Sequence, residues 1–242
     1  MKRLSVLVTR PQPEADATAA RLARAGYEPL VAPMLQIVLA PPGEALDPGP
    51  VSAVIVTSLN GVRGLALRPD LPHLITLPVY AVGDATARAA IKVGFVDVRS
   101  AGGTAQDLVR LIRAGHSGSL PLLYVAGRDR TADLEAGLRG AGLRLIVAEV
   151  YRAEAVADLP DAVRARLEAG SVDRILVYSE RTAKAFAAAV KGAGLIERCR
   201  DIAIHAISAR AAAPLAEAGF RALTVAASAD SDALIASLPP AG

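Results

Sequence analysis

One cysteine, Cys199, stands in a chain of 242 residues. A lone thiol closes no internal disulfide and builds no zinc cage, so a reducing cytoplasm is the expected setting. Tryptophan is absent and aromatics make up 3% of the chain. The core is therefore left to Ala, Val, Leu and Ile, and there is no aromatic platform for stacking single-stranded nucleic acid. No apolar run approaches the roughly 18 residues of a membrane span. Met1-Lys2-Arg3 resembles the start of a secretory leader, but the apolar stretch behind it stops at Thr9-Arg10-Pro11. That is too short for a leader, and a soluble protein is expected.

Chemical signatures are missing as well. His73, His116 and His205 are scattered, with no acidic or thiol partners at metal-ligand spacing, and read as surface or loop histidines. No G-x-G-x-x-G, P-loop or G-x-S-x-G segment occurs, which weighs against a nucleotide-dependent enzyme and a serine hydrolase. Asp158 and Asp161 precede a helix and read as caps or N-terminal charges rather than an acid–base pair. The net charge of +3 carries no basic block, so it does not imply nucleic acid, though it is compatible with an anionic small molecule. An enzyme without a cofactor, or a binding protein, remains.

What is present is an alternation of short apolar strands with Ala-rich helices. Strands are expected at Leu4–Val8, Ala53–Thr57, Val79–Val82, Leu122–Val125, Arg174–Tyr178 and Ile202–Ile207, with weaker ones near Pro29–Val31, Phe95–Val98, Leu145–Val150 and Ala222–Ala226. Continuous apolar runs of this length suit strands buried on both faces, and the alternation with helices predicts parallel sheets with right-handed crossovers.

The pattern also repeats. Leu4–Val31 matches Leu122–Val147, with Gly26 facing Gly142; Ala53–Val62 matches Arg174–Ala183, with Thr57-Ser58 facing Tyr178-Ser179; Val79–Phe95 matches Ile204–Phe220. Three units in one order make the chain a duplication, and place its function between two similar lobes. Arg10-Pro11, Thr57-Ser58, Gly83-Asp84, Gly127-Arg128, Ser179-Glu180 and Ser208-Ala209 each follow a strand, where parallel sheets bind ligands. Hydroxyls and free N–H groups at such a rim suit carboxylates.

These motifs resemble the uroporphyrinogen-III synthase family along nearly the whole chain. The matching segments are LVTRP at Leu7–Pro11, Gly26-Tyr27, T-S-x-N-G-V at Thr57–Val62, V-G-x-x-T-A at Val82–Ala87, Gly102–Leu108 and Val150-Tyr151. The resemblance implies two similar doubly wound parallel-sheet, flavodoxin-like α/β domains joined by a two-stranded antiparallel linker. One domain would combine residues 1–34 and 155–242, the other would span 40–149, and the linker strands would lie near 34–39 and 150–154. Pro33, Pro41 and Pro42 punctuate the first crossing.

It also implies a reaction. A linear hydroxymethylbilane with eight carboxylates is closed to uroporphyrinogen III, with ring D inverted and water lost, using neither metal nor cofactor. Tyr151 is the implied catalytic residue, donating a hydrogen bond to the leaving hydroxyl. Substrate contacts are expected from Arg10, Thr57, Ser58, Gly83, Thr86, Gly127, Arg128, Ser179, Ser208 and Arg210, with Asn60 as a helix cap. The second half departs from the family pattern at Glu180 and at Ser208–Ala212, where a glycine and two threonines are replaced and Arg210 is new. Arg210 is read as a substitute carboxylate contact, the alternative being that this copy has lost the reaction. The expected partner is a small polycarboxylate, with no nucleic acid and no membrane, and the chain is taken as a monomer. The competing reading is a two-lobed binder or regulator that senses a tetrapyrrole or another polycarboxylate; it keeps Gly83 and Thr86 but does not need Tyr151.

Overall fold

The computed structural model describes residues 3–130 and 132–241. Its strands are β1 (Ser5–Val8), β2 (Glu28–Val31), β3 (Leu35–Leu39), β4 (Ala53–Val56), β5 (Val79–Ala81), β6 (Val98–Ser100), β7 (Leu122–Gly127), β8 (Leu145–Ala155), β9 (Arg174–Val177), β10 (Ala203–Ala206) and β11 (Leu223–Val225). They form a five-stranded sheet in the order β11-β10-β9-β1-β2 and a six-stranded sheet in the order β3-β8-β7-β4-β5-β6. Within the first sheet every pair is parallel. In the second, β8-β7-β4-β5-β6 is parallel throughout. The edge strand β3 runs against β8: Ala40 N–H donates to Val150 O, and Val156 N–H donates to Met34 O.

The chain divides into two compact units, one comprising Met1–Gln36 and Glu154–Gly242, the other Ile37–Ala153. The repeat units matched in the sequence make up both sheets in the same spatial order. Inward of β11 or β6, the third-unit strand (β10, or β5) lies beside the second-unit strand (β9, or β4), then the first-unit strands (β1-β2, or β7-β8). Each sheet thus draws its first unit from one half of the sequence and the other two from the other half.

The strand runs are apolar because both faces are covered. In the first sheet Leu7, Ile175, Val177 and Ile204 pack on one side, with Val6, Val8 and Leu176 on the other. In the second, Val54, Val56, Val79 and Val125 face one layer, and Ile55, Tyr80, Leu122 and Tyr124 the opposite one. Alternate residues of one strand point to opposite faces, so each face needs its own helical cover.

Three expectations need correction. The strand near Phe95–Val98 begins at Val98: Gly94 closes the preceding helix at φ +118°, and Phe95 turns into the core instead of joining a ladder. The strand expected near Leu145–Val150 runs on to Ala155, so that β8 is one continuous 11-residue strand. His205 is neither surface nor loop. It is buried in β10, with Nδ1 2.9 Å from Ser237 Oγ.

Candidate functional site

In the unit Ile37–Ala153 the adjacent parallel strands β7, β4 and β5 end at one sheet edge, and the loops that follow carry the residues singled out above. Ser58 ends the β4 turn in extended conformation and caps the helix Leu59–Leu65, its Oγ accepting from Gly61 N–H at 3.0 Å. The same Oγ lies 3.1 Å from the Tyr151 hydroxyl on β8. Asn60 does not cap; its Oδ1 accepts from Arg63 at 2.7 Å. The capping role expected of Asn60 thus falls to Ser58, because only the residue before the helix can turn its side chain back onto the free N–H groups.

Gly127 closes this arrangement. It pairs with Tyr151 just past an irregularity in the β7–β8 ladder. A Cβ at Gly127 would stand 2.5 Å from Tyr151 Cζ and 2.9 Å from its hydroxyl, so the ring lies in the space a side chain would fill. Arg128 N–H then donates to Tyr151 O at 2.9 Å. Three elements therefore fix Tyr151: the Ser58 cap, the bare Gly127 backbone, and the loop main chain.

Around this tyrosine the charges are organised. Arg130 bonds Glu135 at 2.7 Å, Glu149 at 2.9 Å and Gly127 O at 3.1 Å. Arg128 reaches Glu149 only at 3.5 Å. The Arg130 hydrogen bond, aided by Arg128, holds the Glu149 carboxyl below its usual range. A recess of about 40 Å³, room for a water-sized group, is lined by Val38, Ala40, Arg128, Glu149, Tyr151 and Arg152. Beside it Thr57 Oγ1 lies 3.3 Å from the Tyr124 hydroxyl, and burial pushes that phenol's pKa up. Sequence reading missed Tyr124, although a hydroxyl inside the otherwise apolar strand LLYVAG was the available signal. It missed Arg130 and Glu149 too, for no spacing rule connects them.

Gly83 precedes the helix Asp84–Val93 in extended conformation, and Thr86 is buried in that helix's first turn. The loop at Gly103 comes within 3.9 Å of where a Gly83 Cβ would be. Ser100 donates to Asp84 at 2.7 Å.

The unit built from both chain ends repeats the plan with different chemistry. Ser179 and Ser208 cap the helices Glu180–Gly192 and Ala209–Glu217, accepting from Thr182 N–H and Ala211 N–H. The Arg10 guanidinium lies 4.3 Å from the centre of the Tyr178 ring and donates to Thr18 and Ser231 at 3.3 Å. The two departures at Glu180 and Arg210 meet: Arg210 Nε donates to Glu180 Oε2 at 2.6 Å, and Lys184 to Oε1 at 2.6 Å. Hydrogen bonds from Lys184 and then Arg210 hold the Glu180 carboxyl at a pKa of about 2. Each departure thus supplies the other's partner, a pairing that single-residue comparison does not reveal. A groove of about 540 Å³ in this unit, bordered by Ala187, Lys191, Ile196 and Glu217, carries none of the predicted site residues.

Among the described residues no group of three His, Cys, Asp or Glu side chains is placed to hold a metal, and no helix is long and apolar enough to cross a membrane. Compared with known proteins, residues 16–236 match the family model described as uroporphyrinogen-III synthase HemD. The fold resembles uroporphyrinogen-III synthetase from Helicobacter pylori, with TM-score 0.66, 21% identity and 97% of each chain covered. It also resembles a mutant uroporphyrinogen III synthase from the extremely thermophilic bacterium Thermus thermophilus, with TM-score 0.54, 21% identity and 96% of each chain covered. No curated protein matches the sequence.

Proposed function

The chain belongs to the uroporphyrinogen-III synthase family, and we propose how its residues carry out that family's cyclisation of linear hydroxymethylbilane to uroporphyrinogen III. The observation that supports this reading is the seat of Tyr151, hydrogen-bonded to Ser58 and laid over Gly127.

Each hydroxyl in that seat accepts one hydrogen bond and donates another. Gly61 N–H donates to Ser58 Oγ. Ser58 then donates to the Tyr151 oxygen, leaving the phenolic proton directed at the substrate's terminal hydroxyl. The C–O bond breaks as that oxygen takes up the proton, so water departs and an azafulvene cation remains. The far pyrrole attacks the cation at its substituted carbon; the spiro intermediate fragments and recombines with ring D inverted, and the ring proton lost as aromaticity is restored is returned, through solvent, to the Tyr151 phenolate. One water is released overall. Arg128, free to leave its long contact with Glu149, takes a substrate carboxylate. The N–H groups and hydroxyls at Thr57, Gly83, Thr86, Ser179 and Ser208 hold others, and Arg10 serves the same purpose. Arg210 reaches a carboxylate only by sharing itself with Glu180. The protein's principal contribution is orientation: it brings the disfavoured carbon nearer to the cation than the unsubstituted one.

In this reading the two units are the functional domains, with residues 34–39 and 150–154 as the linker, and the enzyme acts as a cytoplasmic monomer without cofactor. The test is to supply hydroxymethylbilane and separate the products. Spontaneous closure gives the type I ring, so type III product above background supports the synthase. Type I alone, with saturable binding of the bilane, would instead support a tetrapyrrole sensor.

A further inference from the structure

Arg68 follows the helix Leu59–Leu65 and is 4% exposed, a cation placed almost wholly out of water. Among the described residues all its hydrogen bonds go to main-chain carbonyls. Nε donates to Gly64 O at 3.1 Å, Nη1 to Pro41 O at 2.9 Å and Glu44 O at 3.2 Å, and Nη2 to Ala40 O at 2.9 Å. A buried guanidinium satisfied by carbonyl dipoles alone holds those carbonyls in a fixed fork, which a lysine cannot reproduce.

Two of the pinned residues grip the residue before Tyr151. Ala40 N–H donates to Val150 O at 2.9 Å. Gly64 lies so close that a Cβ there would stand 2.7 Å from Val150 Cγ2 and 2.8 Å from Val150 O. Val150 is therefore held between two backbones that Arg68 ties together. We propose that Arg68 is a positioning residue for Tyr151, setting the β8 backbone from behind so that the phenol meets Ser58. This inference rests on the role given to Tyr151 above.

A double-mutant cycle separates positioning from mere support. Arg68→Lys keeps the charge and loses the fork. Type III formation is measured for wild type, Arg68→Lys, Tyr151→Phe and the double variant, with far-UV circular dichroism and melting to confirm that each is folded. We expect Arg68→Lys to lower kcat about tenfold with KM changed less than about twofold, since misplacement without loss of binding acts on the chemical step. In the Tyr151→Phe background the same change should cost less than about twofold, because the hydroxyl it places is gone. An equal loss in both backgrounds, or an unchanged kcat, overturns the proposal. Tyr151→Phe at full turnover removes the role of Tyr151 itself, and this inference with it; that single variant shows which idea has failed. Should Arg68→Lys not fold, Ala40→Pro deletes the N–H that reaches Val150 without touching Arg68, and the same non-additivity with Tyr151→Phe is required of it.

Discussion

Replacing Gly127 by alanine adds one methyl group against the face of the proposed proton donor. The backbone at Gly127 is not in the left-handed region, so the substitution carries no conformational penalty and its effect is purely steric. The new Cβ would stand 2.5 Å from Tyr151 Cζ. Carbon atoms in contact settle at about 3.5–4.0 Å, so the ring must retreat by about 1 Å. The Ser58–Tyr151 hydrogen bond, now 3.1 Å, would then stretch beyond hydrogen-bonding range. A displacement of this size in a proton-donating group should slow type III formation about 10- to 100-fold. Overpacking should also cost about 1–3 kcal/mol of stability. The first effect is read from bilane consumption with separation of the two isomers, the second from urea unfolding. A control fixes the cause: with Tyr151→Ala present, Gly127→Ala should cost almost nothing in stability, as the atoms it strikes are gone. Gly127→Ala at the wild-type type III rate would refute the seat described for Tyr151.

Three further outcomes are expected. Tyr151→Phe should lower type III turnover severalfold or more while urea unfolding stays close to wild type; loss of folding would place the hydroxyl in the structure instead. Glu180, held at about 2 against an ordinary 4.5, contributes stability present above about 4.5 and lost as pH falls through about 2. Arg210→Ala should therefore raise the carboxyl's midpoint in an NMR titration, and an unmoved midpoint would show that the ion pair does not form. Burial, with help from Arg174, holds the His205 imidazole below its ordinary 6.5. The unfolded chain takes up that proton first, so stability falls as pH drops below about 6.5. His205→Gln should flatten the change in urea midpoint between about pH 7.5 and 5, and an unaltered slope would acquit the histidine.

Most strands could be read directly, because a run such as Ala53–Val56 is apolar at every position only when both faces are covered. The strand placed at Phe95–Val98 shows where that rule fails. Phe95 is apolar because it packs into the core next to Gly94, while the neighbouring Val96 is 91% exposed and lies ahead of β6. Local pattern does not distinguish burial by a loop from burial in a ladder. The site was legible only one residue at a time. Ser58, Gly127 and Tyr151 each drew attention, but their meeting depends on the register of β7 and β8 and on the irregularity after Ala126. Glu180 and Arg210 looked like separate losses for the same reason: their pairing is set by neighbouring helices, not by spacing along the chain. Arg68 gave no sign at all, since its partners are carbonyls, which every residue possesses.

The interleaved strand order has a consequence during synthesis on the ribosome. β1 emerges well before one of its two neighbours, β9, which begins only at Arg174. The unit Ile37–Ala153 has all its strands available much earlier. Its sheet can close while β1, paired only with β2, still waits for the residues from Arg174 onward to be translated. The apolar run Val6–Val8 of β1, buried on both faces in the finished sheet, is thus a part of the nascent chain that a chaperone would need to shelter.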